Sequence, residues 1–179
     1  MTTTTEITAE SKMSAVLEAF PGAQRALMRR YHIGGCSSCG FAPEDRLGDV
    51  LAKHNVLAVE GVIEYIKTSH ADEQRIQIQP QDLAEALKSS TPPRLLDVRE
   101  PEELAIVKLE GAVPVTQELI QEMMANWPKD TPIVTYCHHG IRSLEAASYL
   151  IGHGFSDVRT LAGGIDVWAE QIDPSLPRY

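Results

Sequence analysis

Pro132-Ile133-Val134-Thr135-Tyr136-Cys137-His138-His139-Gly140-Ile141-Arg142-Ser143 reads as a buried strand, a short loop and the start of a helix. The run 132–136 is apolar and β-branched, with a proline at one end and a glycine-bearing loop at the other. It is too short for a helix, which marks an interior strand. From Ser143 to His153, Leu144, Ala147, Leu150 and Ile151 recur on one helical face. A fully apolar strand feeding a helix is the half-unit of a parallel sheet covered on both sides.

The same alternation extends outward in both directions. Upstream, Ile76 and Ile78 sit in a short strand, and Pro80 opens a helix ending near Lys88. Arg94–Val98 reads as a buried strand. Pro101-Glu102-Glu103 begins a helix, with proline in the first turn and acids at the positive end of the dipole. Ala112–Val115 is a further strand, and Thr116 is placed to cap a helix running to about Asn126. Downstream, Val158–Leu161 is the last strand, and Gly163-Gly164 leads into a final helix through Trp168. Residues 76–179 therefore predict an α/β fold with a mostly parallel sheet flanked by helices.

The first part of the chain differs. Met13, Val16, Leu17 and Phe20 fall at helical spacing, as do Ala23, Ala26, Leu27 and Arg30. Leu47, Val50, Leu51 and His54, then Val59, Val62, Ile63 and Ile66, predict two more helices. Residues 11–67 are expected to form a small all-α bundle. Residues 68–75 lack apolar anchors and are expected to be a linker, and 1–10 a disordered tail.

Charge narrows the partners. Residues 1–75 hold 8 Lys/Arg against 10 Asp/Glu, and residues 76–179 hold 8 against 15, leaving −2 and −7. That acidic balance argues against nucleic acid, which needs clustered positive charge, and against anionic lipid. No apolar stretch reaches the length of a membrane span, and the N-terminus has neither the basic start nor the apolar run of a secretory signal. A cytoplasmic setting is expected. The three cysteines are too few for a disulfide scaffold, and in a cytosolic chain they point to catalysis, redox or metal binding.

Cys137 follows the strand directly, at the end of a sheet where α/β folds bind ligands. A loop turning tightly into a helix, through His138, His139, Gly140, Ile141 and Arg142, aims backbone N–H groups inward. With the positive end of the helix they form an anion nest. An isolated cysteine thiol titrates at about 8.5, and aimed amides favour the thiolate. A small buried core residue is the competing reading of a free cysteine.

Four segments, Leu96-Asp97-Val98-Arg99-Glu100, Glu110-Gly111-Ala112-Val113-Pro114, Tyr136–Ser143 and Leu161-Ala162-Gly163-Gly164-Ile165-Asp166-Val167-Trp168, together resemble the rhodanese domain in order and spacing. The ending, Asp173–Tyr179, resembles that of bacterial single-domain rhodaneses and of modules fused to sulfur-carrier-activating enzymes. One departure is Val107-Lys108-Leu109-Glu110, where many members carry Gly-His-Ile. The resemblance implies a sulfurtransferase in which Cys137 takes sulfane sulfur from thiosulfate or a persulfide. Cys137 then passes it to a thiol, to cyanide or to a sulfur-accepting protein. It implies no cofactor. Arg142 would close the loop and attract an anionic donor, or serve only as a structural ion pair. Asp97 and Arg99 would brace the loop. His138 and His139 would tune the thiolate, touch substrate or simply face solvent. The alternative function is a module that delivers or senses sulfur for a partner without turnover.

Phosphate or arsenate chemistry is the rival for the loop. Phosphatase loops of this type need one residue more between cysteine and arginine, and residue 143 is serine, so no other frame exists.

Cys36 and Cys39 form a Cys-x-x-Cys in a glycine-flanked loop. The surroundings, from Phe20-Pro21-Gly22-Ala23 through Tyr31-His32-Ile33-Gly34-Gly35, resemble small helical redox-disulfide domains associated with hybrid-cluster proteins. Three readings stay open. One is a redox dithiol that exchanges sulfur or electrons with Cys137. Another is a metal half-site with His32 as a third ligand. The last is a purely structural pair. His54 and His70 read as surface or satisfied histidines.

Overall fold

The computed structural model describes residues 6–34 and 40–179. The chain divides into two compact units, 1–75 and 76–179.

In the first unit the described residues form four helices: α1 (Met13–Ala19), α2 (Ala23–Tyr31), α3 (Leu47–Lys53) and α4 (Val59–Arg75). Most positions at helical spacing pack: Met13, Val16, Ala26, Leu27, Leu47, Leu51, Val62 and Ile66 make one buried cluster, while Arg30 is exposed. Ile7, within the expected disordered tail, is buried in the same cluster. The expected linker 68–75 is instead the last two turns of α4. Those turns lack apolar residues because they are anchored by polar contacts. Glu73 is buried and takes both Nε and Nη2 of Arg25, at 3.2 and 2.7 Å. The His70 ring meets Phe20 edge-on at 5.4 Å. His32, the suggested third ligand, ends α2 in the left-handed conformation, φ 57°. Cys36 and Cys39 lie outside the described residues.

The second unit alternates strands and helices: β1 (Gln77–Ile78), α5 (Pro80–Ala86), β2 (Arg94–Asp97), α6 (Pro101–Ile106), β3 (Val113–Pro114), α7 (Gln117–Asn126), β4 (Ile133–Tyr136), α8 (Ile141–Gly152), β5 (Val158–Leu161) and α9 (Gly164–Gln171). Every strand pair is parallel, in the order β1-β5-β4-β2-β3. Side chains alternate between faces. Leu95 and Val134 join α5 and α9 residues in one cluster, and Leu96 and Ile133 join α7 and α8 residues in the other. Burial on both faces explains why the strands read as unbroken apolar runs. Thr116 caps α7, its hydroxyl accepting the Leu119 N–H at 3.2 Å.

The strand order places the site. From β2 the chain moves outward to β3, then returns across β2 to β4 and onward to β5. The connections leaving β2 and β4 diverge, and a crevice opens between their C-terminal ends, the switch point of an open α/β sheet. Asp97 and Tyr136 pair there, so Cys137 begins the loop at that crevice.

Candidate functional site

Cys137 is 1% exposed and directly follows the fully buried β4. Its Sγ accepts the Gly140 N–H at 3.1 Å and the Ser143 N–H at 3.4 Å. Two backbone amides, one from the loop and one from the first turn of α8, thus point at the sulfur. Gly140 has φ 88° and is the N-cap of α8. A left-handed turn at this point is what lets the chain double back over the sulfur, and glycine adopts it without Cβ strain. The helix starts two residues earlier than the sequence suggests, so Ile141 and Arg142 already belong to its first turn. Ser143 is held from behind. Its hydroxyl accepts from Thr160 at 2.8 Å, and its carbonyl accepts the Thr135 hydroxyl at 2.8 Å.

The outward-facing loop carbonyls are taken by α9. Ile165 N–H donates to the Cys137 carbonyl at 2.9 Å and Asp166 N–H to the His138 carbonyl at 3.1 Å. These are first-turn amides of a helix, which otherwise lack partners. With its carbonyls bound there, the loop presents the Gly140 and Ser143 amides to the sulfur. Gly164 permits this contact. A Cβ at that position would lie 2.4 Å from the Cys137 carbonyl oxygen and 2.3 Å from that of His138.

The charged residues pair among themselves. Asp97 and Arg99 are both buried and bound side by side, Nη2–Oδ2 at 2.6 Å and Nε–Oδ1 at 2.9 Å. Arg99 also donates to the Val107 carbonyl at 2.7 Å. This pair braces the end of β2 beside the loop. Burial, followed by the adjacent Asp97 carboxylate, pushes the Tyr136 phenol up. Arg142 forks onto Glu103 of α6, with Nη1–Oε2 at 2.6 Å and Nη2–Oε1 at 2.7 Å. Its charge is thereby matched, and it acts as a clamp between α6 and α8. An anionic donor would meet a guanidinium already neutralised.

The Arg142 hydrogen bonds hold the Glu103 carboxyl down to about 2. A depressed carboxyl adds stability above its unfolded pKa, and that stability drains away as the pH falls through the folded value. Glu103→Gln is therefore expected to be less stable than wild type by about 1 kcal/mol above about pH 5. The two proteins should converge toward pH 2. Urea midpoints across that range check this, and a pH-independent gap would contradict it.

The histidines stack. His138 lies on His139 with centroids 3.9 Å apart, and Tyr179 lies on His138 at 4.1 Å. Burial first, and His139 second, lower the His138 pKa and favour the neutral ring. The His138 Nε2 is buried with no partner among the described residues. Ile141 is 56% exposed. Three contributors were missed in the sequence: the Ser143 amide, Glu103 and Tyr179. Glu103 carried a signal as a first-turn acid, but nothing in its spacing tied it to Arg142.

The rhodanese-like domain family matches residues 79–171. Over 104 residues the chain is 40% identical to the probable adenylyltransferase/sulfurtransferase MoeZ of Mycobacterium tuberculosis, covering 57% of this chain and 26% of that protein. It is 36% identical over 93 residues to a sulfurtransferase of Allochromatium vinosum, covering 52% of this chain and 87% of that one. It is 33% identical over 89 residues to the thiosulfate sulfurtransferase GlpE of Pseudomonas putida, covering 50% and 81%. The chain thus spans about a quarter of MoeZ and most of the other two. The matched stretch includes the Cys137 loop, both ion pairs beside it and the start of α9. By that match the chain belongs to the rhodanese-like domain family.

Proposed function

We propose that Cys137 carries sulfane sulfur as a persulfide between a donor and an acceptor. The observation that carries this is the Cys137 sulfur under two backbone N–H groups at 3.1 and 3.4 Å. Donors aimed at one atom stabilise negative charge on it. The thiolate attacks the outer sulfur of thiosulfate, the S–S bond of the donor breaks, and sulfite leaves with the bonding pair. An acceptor thiolate or cyanide then attacks the outer sulfur of the Cys137 persulfide. The Cys137 thiolate returns, and the acceptor leaves as a persulfide or thiocyanate. The name of the GlpE relative supports thiosulfate as donor. No resident cofactor enters this cycle, and a reducing cytoplasm keeps the thiol available.

A second reading draws on the 1% exposure of Cys137. A carrier that loads once and discharges only to a docked protein uses the same chemistry without free turnover. The dithiol reading of Cys36 and Cys39 is carried by their Cys-x-x-Cys spacing and by the resemblance of the surrounding segment to helical redox-disulfide domains.

Intact mass after thiosulfate exposure tests the transfer reading. The protein should gain one sulfur atom, mapped to the Cys137 peptide, and Cys137→Ser should gain none. Gain by both, or by neither, would sink the assignment. Multiple turnovers with cyanide would separate the enzyme from the single-load carrier.

A further inference from the structure

Residues 173–179 follow α9 and return to the Cys137 loop. Arg178 forks onto Asp166, at 2.7 and 3.0 Å, the same residue whose backbone N–H holds the His138 carbonyl. Tyr179 then makes three contacts at once. Its ring stacks on His138, 19° from parallel. Its hydroxyl accepts from Arg99 Nη1 at 2.8 Å and donates to Glu103 Oε1 at 3.1 Å. One side chain thus joins the residue after Cys137 to both flanking ion pairs, Asp97–Arg99 and Glu103–Arg142.

We infer that Tyr179 is a positioning residue for sulfur transfer, holding His138 and the two flanking ion pairs in the arrangement that keeps the loop closed around Sγ. The inference rests on the transfer reading of Cys137. Two observations carry it. The His138 Nε2 has no hydrogen-bond partner among the described residues, and the ring stacks on both Tyr179 and His139. Tyr179 is 42% exposed, so it contributes little as core. Its hydroxyl spends both its roles on charged groups, which makes charge-assisted bonds of fixed direction. A group that fixes the residue beside a nucleophile acts through geometry, and small displacements there slow the chemistry steeply.

Tyr179→Ala and Tyr179→Phe test this in the full chain, by rate of sulfur gain at saturating thiosulfate and by rate of iodoacetamide labelling on the Cys137 peptide. The alanine variant should load about tenfold more slowly and label several-fold faster, because the loop opens. The half-saturating thiosulfate concentration should not move. The phenylalanine variant keeps the stack and loses the bridge, so it should load about threefold more slowly. Melting temperatures should stay near wild type. Loading and labelling by Tyr179→Ala within twofold of wild type would overturn the inference. If that variant melts early, Tyr179→Phe decides, and wild-type loading by it overturns the inference. A wild-type protein that gains no sulfur defeats the transfer reading instead. The labelling arm still stands in that case, and wild-type labelling of both variants overturns the role of Tyr179.

Discussion

Gly164→Ala should abolish sulfur gain at Cys137 although it leaves every chemical group of the site in place. Gly164 has φ +66°, where an L side chain costs about 1–3 kcal/mol. The added Cβ would also press on two carbonyl oxygens at 2.3 and 2.4 Å, and both belong to backbone. Backbone cannot swing aside as a side-chain tip does, so the start of α9 must withdraw. Withdrawal breaks the Ile165 and Asp166 N–H bonds to the loop, each worth about 1 kcal/mol and more when its partners stay buried. The freed carbonyls then turn, and the Gly140 and Ser143 amides lose their aim. A loss on the order of 3 kcal/mol or more is expected, together with loss of loading. Urea unfolding and intact mass measure the two effects. A variant that loads at the wild-type rate with an unshifted midpoint would show that α9 does not set the loop.

Asp97→Ala should be the most destabilising change among the charged residues, at about 3–5 kcal/mol. It strands the buried Arg99 guanidinium, whose side chain is 0% exposed. The Val107 carbonyl and Tyr179 hydroxyl remain as partners, but neither carries a compensating charge. The penalty is that of an unpaired buried ion, so removing the ion should restore stability. Asp97→Ala with Arg99→Leu is therefore expected to recover most of the loss. Urea midpoints of the two singles and the double decide it. A double variant no better than the sum of its singles would mean that the pair is not the cause.

The parts legible in the sequence share one physical property. Leu95–Asp97 of one strand and all of Ile133–Tyr136 are buried, so composition marks them, and Cys137 is conspicuous because it stands at the end of such a run. The helices of the first unit are legible from apolar spacing. Polar long-range contacts leave no such trace. The last turns of α4 look like a linker because Glu73 answers Arg25, 48 residues away. Arg142 looks available to an anion until Glu103, 39 residues earlier, is placed beside it. Tyr179 lies 76 residues from Glu103, and a lone tyrosine has no periodicity to give it away. The start of α8 shifts because the turn at Gly140 depends on a backbone dihedral that the residue type permits but does not dictate.

The 1% exposure of Cys137 has a chemical consequence outside the transfer cycle. An exposed thiolate is attacked by peroxide, disulfides and alkylators alike. Here the sulfur is enclosed, with the Gly140 and Ser143 N–H groups set against it. Reagent size, on this geometry, sets how fast the thiol is reached. A small alkylating reagent such as iodoacetamide should therefore label Cys137 faster than a bulky maleimide.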